Sequence, residues 1–247
     1  MQEPYLSDRQ TMPKLLNGIS MHKYRESTEL IPEVFGISAS NLSRGFKKAS
    51  AEMLRRLKTC SLVCYDFAAI FLDGKKYADV GLIVALGVTI EGKNVILDIE
   101  QSHSENSVVI KQFLGRLIER DLRFEGGILF IVNGSKGIIS AIRQQFQEYA
   151  FIQRCQWHKQ QNVTSYLNES QKQICKRKLK QAYQKTIYHE AKADLENIHQ
   201  ELLQINQSAA NSLIEGLEET LTLHKLELSH ELCRSFNSTN CIESIIS

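Results

Sequence analysis

The order of apolar runs between Cys60 and Ile152 constrains the fold of this chain more than any other feature. Three runs come first, from Ser61 to Leu72, from Val80 to Ile90 and from Val95 to Ile99. Each is rich in the β-branched and aromatic residues that favour strands. The turn-forming sequence Glu91-Gly92-Lys93-Asn94 separates the second run from the third, so these two runs are predicted to form a hairpin.

Two helices and two further strands are predicted in the rest of this region. Glu105 to Arg120 is amphipathic and predicts a helix, and Ile128 to Val132 is an all-apolar run of the kind buried on both faces of a sheet. Ser135 to Phe146 predicts a second helix, and Tyr149 to Ile152 a short final strand. The inward face of the first helix is expected to carry Val109, Phe113, Leu117 and Ile118. The resulting order, βββαβαβ, is the ribonuclease-H-like order and predicts a mixed sheet flanked by helices.

Beyond Arg154 no strand is predicted. Apolar residues recur mostly four apart from Lys172 to Ile205, which predicts one long amphipathic helix, and Ala209 to Leu223 predicts another. Basic residues cluster at Arg44-Lys47-Lys48, at Arg55-Arg56-Lys58 and at 176–180, and acidic residues cluster at Glu215, Glu218, Glu219, Glu227 and Glu231. We interpret each of these clusters, taken alone, as a solvated face.

Helical periodicity also precedes the strands. Gly36 divides two helical segments, and Ser38 or Ser40 can cap the second of them. Leu42, Phe46, Ala49 and Met53 then fall on one face of that segment. The pattern is typical of a helix-turn-helix that presents its second helix to DNA, and equally of a helical hairpin with no DNA role. The candidate DNA-binding residues are Ser40, Asn41, Ser43, Arg44 and Lys47.

Composition excludes few function classes. Apolar residues make up 43% and charged residues 23%, as in ordinary globular proteins, and the net charge of +2 neither requires nor excludes nucleic acid. The longest near-apolar run, Ala78 to Ile90, contains Asp79 and two glycines and is too short to cross a bilayer. The N-terminus lacks an apolar signal core. We therefore expect a cytoplasmic protein that does not bind membranes, with its six cysteines as free thiols.

Three residues are candidates for metal-dependent phosphodiester chemistry, in which carboxylates hold divalent cations. Asp73 follows the first strand and precedes a glycine, which also suits an ordinary turn residue. Asn133 follows the fourth strand, where a second ligand is expected. As an amide it keeps an oxygen donor but lacks the negative charge, and Asn-Gly is also a common turn. Glu243, near the end of the sequence, is the third candidate.

The sequence Cys155-Gln156-Trp157-His158 has half of the spacing of a zinc site, and no second half accompanies it. We therefore expect Cys155 in the core and His158 in a local hydrogen bond. Trp157 is the only tryptophan. It could stack on a DNA base, but we expect it to pack in the core.

Several segments, taken together and in this order, resemble mutator-type bacterial insertion-sequence transposases, from Asn17 to the last residue. The segments that carry the resemblance are Gly36 to Arg44, Leu72-Asp73-Gly74, Glu105-Asn106, Asn133 to Gly137, Gln153 to Lys159, Glu215 to Thr222 and Ser238 to Ser244. The resemblance implies a DDE enzyme with a ribonuclease-H-like fold that depends on Mg²⁺ or Mn²⁺. It also implies a homo-oligomer that acts on terminal inverted repeats and target DNA.

Residue by residue, the resemblance assigns Asp73 and Glu243 as catalytic residues and metal ligands, and it places Asn133 where the family has its second catalytic Asp. Cys155 and His158 match the family's C-x-x-H motif. The implied regions are a DNA-binding helix-turn-helix at 1–59, a catalytic core at 60–155, a helical insertion at 156–229 and, at 230–247, the truncated start of the core's final helix.

Three departures from the family pattern qualify these expectations. Asn133 replaces an Asp, Cys241 stands where a Pro is expected, and the sequence stops four residues after Glu243, whereas family members continue. We therefore expect weak or absent metal binding, a fraying last helix and an impaired or inactive transposase. One alternative is a non-catalytic DNA-binding remnant that binds or represses at element ends. The other is an unrelated ribonuclease-H-like nuclease, which the helical insertion argues against.

Overall fold

The computed structural model describes residues 51–77, 80–101 and 107–229. Residues 51–59 are helical and belong to one compact unit, and residues 60–229 belong to another. No helix within these described ranges is long and apolar enough to cross a membrane. Outside the described residues lie Glu243 and the candidate DNA-binding residues Ser40, Asn41, Ser43, Arg44 and Lys47.

The described strands form one mixed five-stranded sheet in the order β3-β2-β1-β4-β5. They are β1 (Phe67–Tyr77), β2 (Val80–Thr89), β3 (Asn94–Gln101), β4 (Ile128–Val132) and β5 (Ala150–Arg154). Strands β1, β2 and β3 form an antiparallel meander, whereas β4 pairs in parallel with both β1 and β5. With helices α1 (Ser107–Glu119) and α2 (Lys136–Phe146) between them, the predicted order βββαβαβ is confirmed and the fold is mixed α/β.

Strand β1 differs from its prediction at both ends. It begins at Phe67 rather than Ser61, and it continues through Asp73 to Tyr77 instead of stopping at Leu72. The extension arises because β2 pairs with β1 along this whole length, with Asp73 opposite Val84. Only the parallel pairing with β4 ends at Leu72. Asp73 is therefore the end of a strand with respect to β4 but an interior residue with respect to β2.

The main core lies between one face of the sheet and helices α1 and α2. Alternate residues of β1 and β4, such as Leu72 and Phe130, face this core because successive side chains of a strand point to opposite faces. Of the predicted inward residues of α1, Phe113 and Leu117 are fully buried. Val109 and Ile118 are only partly buried and pack at its margin.

Helices alone follow β5 as far as Ser229. They are α3 (Gln156–Thr164), α4 (Glu169–Tyr183), α5 (Tyr188–Leu203), α6 (Gln207–Ile214), α7 (Leu217–Thr220) and α8 (Thr222–Lys225). These helices build a second core of their own, whose buried members include Leu179, Ala191, Leu195 and Leu213.

The prediction of a single helix from Lys172 to Ile205 is wrong, because a turn at residues 184–187 divides this stretch into α4 and α5. The turn folds the apolar stripe of α4 back onto that of α5, so that Leu179 and Leu195 share one core. A continuous helix would leave the stripe without a partner. The helix predicted from Ala209 to Leu223 is likewise divided near Gly216, whose φ of 65° is left-handed.

The opposite face of the sheet carries a smaller apolar cluster that includes Phe71, Ile131 and Leu223 of α8. Gln153 of β5 fixes α7 and α8 to this face. Its fully buried side chain donates to the carbonyl oxygen of Thr220 at 2.8 Å and accepts from the backbone N–H of Leu223 at 3.0 Å. The helices between Gln156 and Lys225 are called the helical segment below. Since a buried amide requires hydrogen-bond partners, Gln153 specifies where α7 and α8 of this segment attach to the sheet.

His224 gives the attachment of α8 a pH dependence. Its Nε2 lies 2.9 Å from the carbonyl oxygen of Lys185, and since a carbonyl only accepts, Nε2 carries the proton and donates. Burial lowers the pKa of His224 below its ordinary value of 6.5, against the carbonyl oxygens of Lys185 and Tyr183, which raise it. The folded protein therefore holds this imidazole neutral more firmly than the unfolded chain does. The associated stability is present above pH 6.5 and is lost as the pH falls below that value.

We predict that His224→Gln, which keeps a side-chain donor, loses less stability than the parent protein between about pH 7.5 and about pH 5.5. Urea unfolding at the two pH values measures the difference. His189→Gln, at an exposed histidine of α5, is the control and should behave as the parent does. Equal losses in the parent and in His224→Gln would contradict the assignment.

Candidate functional site

The parallel register of β1 and β4 brings two of the predicted site residues together. Leu72 pairs with Val132 at the carboxyl ends of the two strands, and the next residues are Asp73 and Asn133. Asp73 is buried, with 3% of its surface exposed. Its Oδ1 lies 3.5 Å from Nδ2 of Asn133. The carboxyl edge of parallel strands is the usual place for a ligand site in α/β proteins.

The orientation of the Asn133 amide follows from its other contact. The backbone N–H of Ser135 donates to Oδ1 of Asn133 at 3.0 Å, in the turn that leads from β4 into α2. Gly134 takes a positive φ of 99° in this turn, which suits glycine. Because Oδ1 accepts from Ser135, the amide nitrogen is the end that faces Asp73. A hydrogen-bond donor, rather than a second acceptor, therefore points at the carboxylate.

As they stand, the described residues do not fit a divalent cation. Mg²⁺ and Mn²⁺ require oxygen ligands, and at this edge Asp73 supplies a carboxylate whereas Asn133 turns N–H groups toward it. In residues 51–77, 80–101 and 107–229 no group of three His, Cys, Asp or Glu side chains could hold a metal ion. Asp73 and Asn133 thus form a hydrogen-bonded pair.

Cys155 and His158 meet at the start of α3. Cys155 is buried, as expected, and its sulfur accepts from the backbone N–H of His158 at 3.5 Å. The N–H of Cys155 in turn donates to the carbonyl oxygen of Val132 at 2.7 Å, which extends the parallel pairing of β4 and β5. The spacing of three residues therefore serves to cap the helix.

The expectation that Trp157 packs in the core is wrong. This side chain is 46% exposed, and its ring contacts that of His158 edge-on at a centroid distance of 4.8 Å. The residues of α3 that turn inward are instead Gln156, Lys159 and Val163. The alternative, that Trp157 stacks on a DNA base, stays a prediction.

An ion network around the buried side chains of Arg154 and Lys159, which the sequence patterns did not reveal, lies beside this edge of the sheet. Arg154, at the end of β5, is 8% exposed and binds Glu215 with two nitrogens, at 2.7 Å and 3.1 Å. Its Nε donates to Glu219 at 2.6 Å. Glu219 also accepts from Arg143 of α2, and the buried Lys159 donates to the backbone and carboxylate oxygens of Glu215. Bidentate arginine–carboxylate pairs of this kind fix geometry as well as charge.

The interpretation of the 215–219 glutamates as a solvated face is incomplete: Glu215 and Glu218 keep 42% and 46% of their side chains exposed, but all three glutamates form ion pairs. Glu215 and Glu219 contact the sheet and α2, whereas Glu218 contacts the helical segment through Lys192 at 2.7 Å and Lys225 at 2.6 Å. Hydrogen bonds from these lysines and from Tyr188 lower the pKa of Glu218 to about 2. The signal available in the sequence was the pair Gln153-Arg154, two polar residues directly after the strand predicted from Tyr149 to Ile152.

Gly216 makes room for the Arg154 guanidinium. A Cβ at this position would lie 2.3 Å from Cζ of Arg154, closer than any real contact, and the φ of 65° disfavours other residues. The guanidinium therefore packs directly on the backbone of this turn.

We predict that Gly216→Ala lowers the free energy of unfolding by about 1–3 kcal/mol, because it strains the turn and displaces Arg154. Chemical denaturation measures the loss. Gly126→Ala is the matched control. A Cβ there meets nothing within 4 Å and the φ is not positive, so the change should stay within about 0.5 kcal/mol. Equal stability of the two variants would contradict this account of Gly216.

Comparison with known proteins identifies the class to which this fold and site belong. The family model described as "Transposase, Mutator family" matches residues 8–247. The chain therefore belongs to the mutator family of transposases.

Three similar curated proteins are named as insertion-sequence transposases. The chain is 29% identical over 240 residues to the transposase for insertion sequence element ISRM5 of Rhizobium meliloti (strain 1021), covering 93% of this chain and 58% of the relative. It is 26% identical over 233 residues to that for IS905 of Lactococcus lactis subsp. lactis (strain IL1403), covering 90% and 57%. A match to that for IS406 of Burkholderia multivorans is 28% identical over 140 residues and covers 53% and 34%. The chain thus spans somewhat more than half the length of the first two relatives.

Proposed function

We propose that this chain is an insertion-sequence transposase whose strand cleavage and transfer at terminal inverted repeats are impaired by Asn133. The observation that carries the proposal is the pairing of Asp73 with Asn133, 3.5 Å apart, at the carboxyl edge of β1 and β4. The strand order β3-β2-β1-β4-β5, with β2 antiparallel to β1 and β4 parallel to it, supports a ribonuclease-H-like core.

The impairment follows from the chemistry of the pair. In DDE enzymes, carboxylates hold the divalent cations that supply charge stabilisation during phosphodiester cleavage and strand transfer. Asn133 contributes no charge, and its N–H group already faces the carboxylate of Asp73. Loss of one of three carboxylates is expected to cost on the order of a thousandfold or more in rate. In this proposal Glu243 supplies the remaining carboxylate.

A second candidate function is favoured by the same residue. A chain that retains the family's DNA-binding region but has an amide at the catalytic edge would bind terminal inverted repeats, and repress there, without cutting them. In this case the predicted DNA-binding residues Ser40, Asn41, Ser43, Arg44 and Lys47 would carry the function, and we propose that the chain acts as a homo-oligomer on DNA.

The variant Asn133→Asp should have a folding stability that depends on divalent metal. In Asn133→Asp, two carboxylates would lie about as close as the present pair and repel each other, so without cation the variant should melt below the parent. Mg²⁺ or Mn²⁺ should raise its melting temperature by at least about 2–4 °C, because a ligand stabilises the state that binds it. Thermal denaturation with metal and with chelator tests this.

The parent protein is the first control for this experiment and should not respond to metal. The double variant Asp73→Asn with Asn133→Asp is the second, since it has a single carboxylate and should lose the response. An equal metal response in the parent would mean that Asn133 does not prevent binding at this site.

Strand cleavage of DNA that carries the element's ends tests the function itself. We predict that Asn133→Asp cleaves in Mg²⁺ or Mn²⁺ on the order of a thousandfold faster than the parent. Binding to the same DNA should be unchanged, as a gel-shift titration of both proteins measures. Similar turnover of the two proteins would contradict the impairment. Binding without cleavage by both would favour the second candidate function.

A further inference from the structure

The side chain of Arg154 lies near two turns that are far apart in the sequence. A Cβ at Gly134 would lie 3.5 Å from Nη1 and 3.6 Å from Cδ of Arg154, and one at Gly216 would lie 2.3 Å from Cζ. Both glycines have positive φ. One turn follows Asn133 directly, and the other joins α6 to α7. Arg154 thus bridges the candidate site and the helical segment.

The backbone of Arg154 is also tied to the site. Arg154 is paired with Val132, the residue before Asn133, in the parallel register of β4 and β5. The next backbone N–H, that of Cys155, donates to the carbonyl oxygen of Val132. The base of the Arg154 side chain is therefore anchored one residue from Asn133.

The outer end of Arg154 is held by the helical segment. Three of its N–H groups bind carboxylate oxygens of Glu215 and Glu219, and the side chain is nearly fully buried. An arginine side chain fixed at both ends has little freedom to change its rotamer, so a displacement of the α6–α7 turn would move the part of this side chain that lies near Gly134.

We propose that Arg154 is a positioning residue, which keeps the Asn133–Gly134 turn in place beside Asp73 and couples that turn to the α6–α7 turn. Its significance for DNA cleavage rests on the proposed function, but the positioning itself does not. Arg154 contacts neither Asp73 nor the amide of Asn133 in the hydrogen bonds that hold it, so its action is indirect.

Hydrogen exchange measures the positioning directly, in the parent protein and in variants that all keep Asn133. The N–H of Ser135 donates to Asn133 Oδ1 and reports whether the turn is held. We expect Arg154→Lys, which keeps the charge but cannot form the two-nitrogen contact, to increase exchange at Ser135 several-fold. Glu219→Gln should act in the same direction. Amides within β4 should not change, which separates a loosened turn from global unfolding.

Glu218→Gln provides the matched control. Glu218 neighbours Glu219 in α7 but binds Lys192 and Lys225 instead of Arg154, so this variant should leave exchange at Ser135 unchanged. If Arg154→Lys does not fold, Glu219→Gln still removes the negative charge that faces Nε of Arg154 and decides the question. Unchanged exchange at Ser135 in every folded Arg154 or Glu219 variant would overturn the inference.

A second measurement separates this inference from the proposed function. In the Asn133→Asp background, Arg154→Lys and Glu219→Gln should weaken Mn²⁺ binding about tenfold, as residues that orient metal ligands commonly do, and Glu218→Gln should not. If Asn133→Asp binds no Mn²⁺, the proposed function fails, while exchange at Ser135 still decides the positioning role. If Mn²⁺ binds and neither substitution changes its affinity or the exchange, the positioning role fails and the proposed function stands.

Discussion

The parallel pairing of β1 with β4 is the interaction on which the rest of this site depends. It is only four residue pairs long, from Ala69 with Leu129 to Leu72 with Val132. Because strand side chains alternate, this register places Asp73 and Asn133 on the same face, opposite to the main core. A shift by one residue would turn one of the two side chains into the core of the other face. All-apolar β4, buried along its whole length, resists such a shift.

Buried polar side chains of β5 and α3 hold helices α6, α7 and α8 in place beside the sheet. Gln153, Arg154, Gln156 and Lys159 all reach carbonyl or carboxylate oxygens between Ser212 and Leu223. A buried charge or amide is costly unless its partners are placed correctly, so these contacts accept one docking position and penalise others. The apolar packing of Leu223 adds buried surface, but it constrains the orientation of the helices less than these hydrogen bonds do. These contacts therefore fix the position of the helices as well as stabilising the fold.

The sequence revealed the strands and their order because periodicity and turn residues are local signals. It predicted that Asp73 and Asn133 follow strands, and the parallel order then brought them together. The break between α4 and α5 was missed because residues 184–187 contain neither Gly nor Pro, and only the packing of Leu179 against the core of α5 requires a turn there.

The ion pairs of the glutamates were missed for a different reason. Charge patterns show where ions cluster, but their partners lie about 60 residues away along the chain. No local pattern marked Arg154 as a buried residue, and Trp157 was expected in the core because large aromatic side chains usually are buried. In both cases the tertiary contact, rather than the local pattern, decided burial.

The exchange of a carboxylate for an amide at position 133 affects folding and chemistry in opposite directions. Either side chain offers an oxygen to the Ser135 N–H, so the turn into α2 is satisfied by both. Toward Asp73, however, the amide donates a hydrogen bond where a carboxylate would repel. Without cation, Asn133 therefore favours the folded state, although in our proposal it lacks a charge that strand cleavage needs. In that proposal the same residue makes the fold more stable and the enzyme less active.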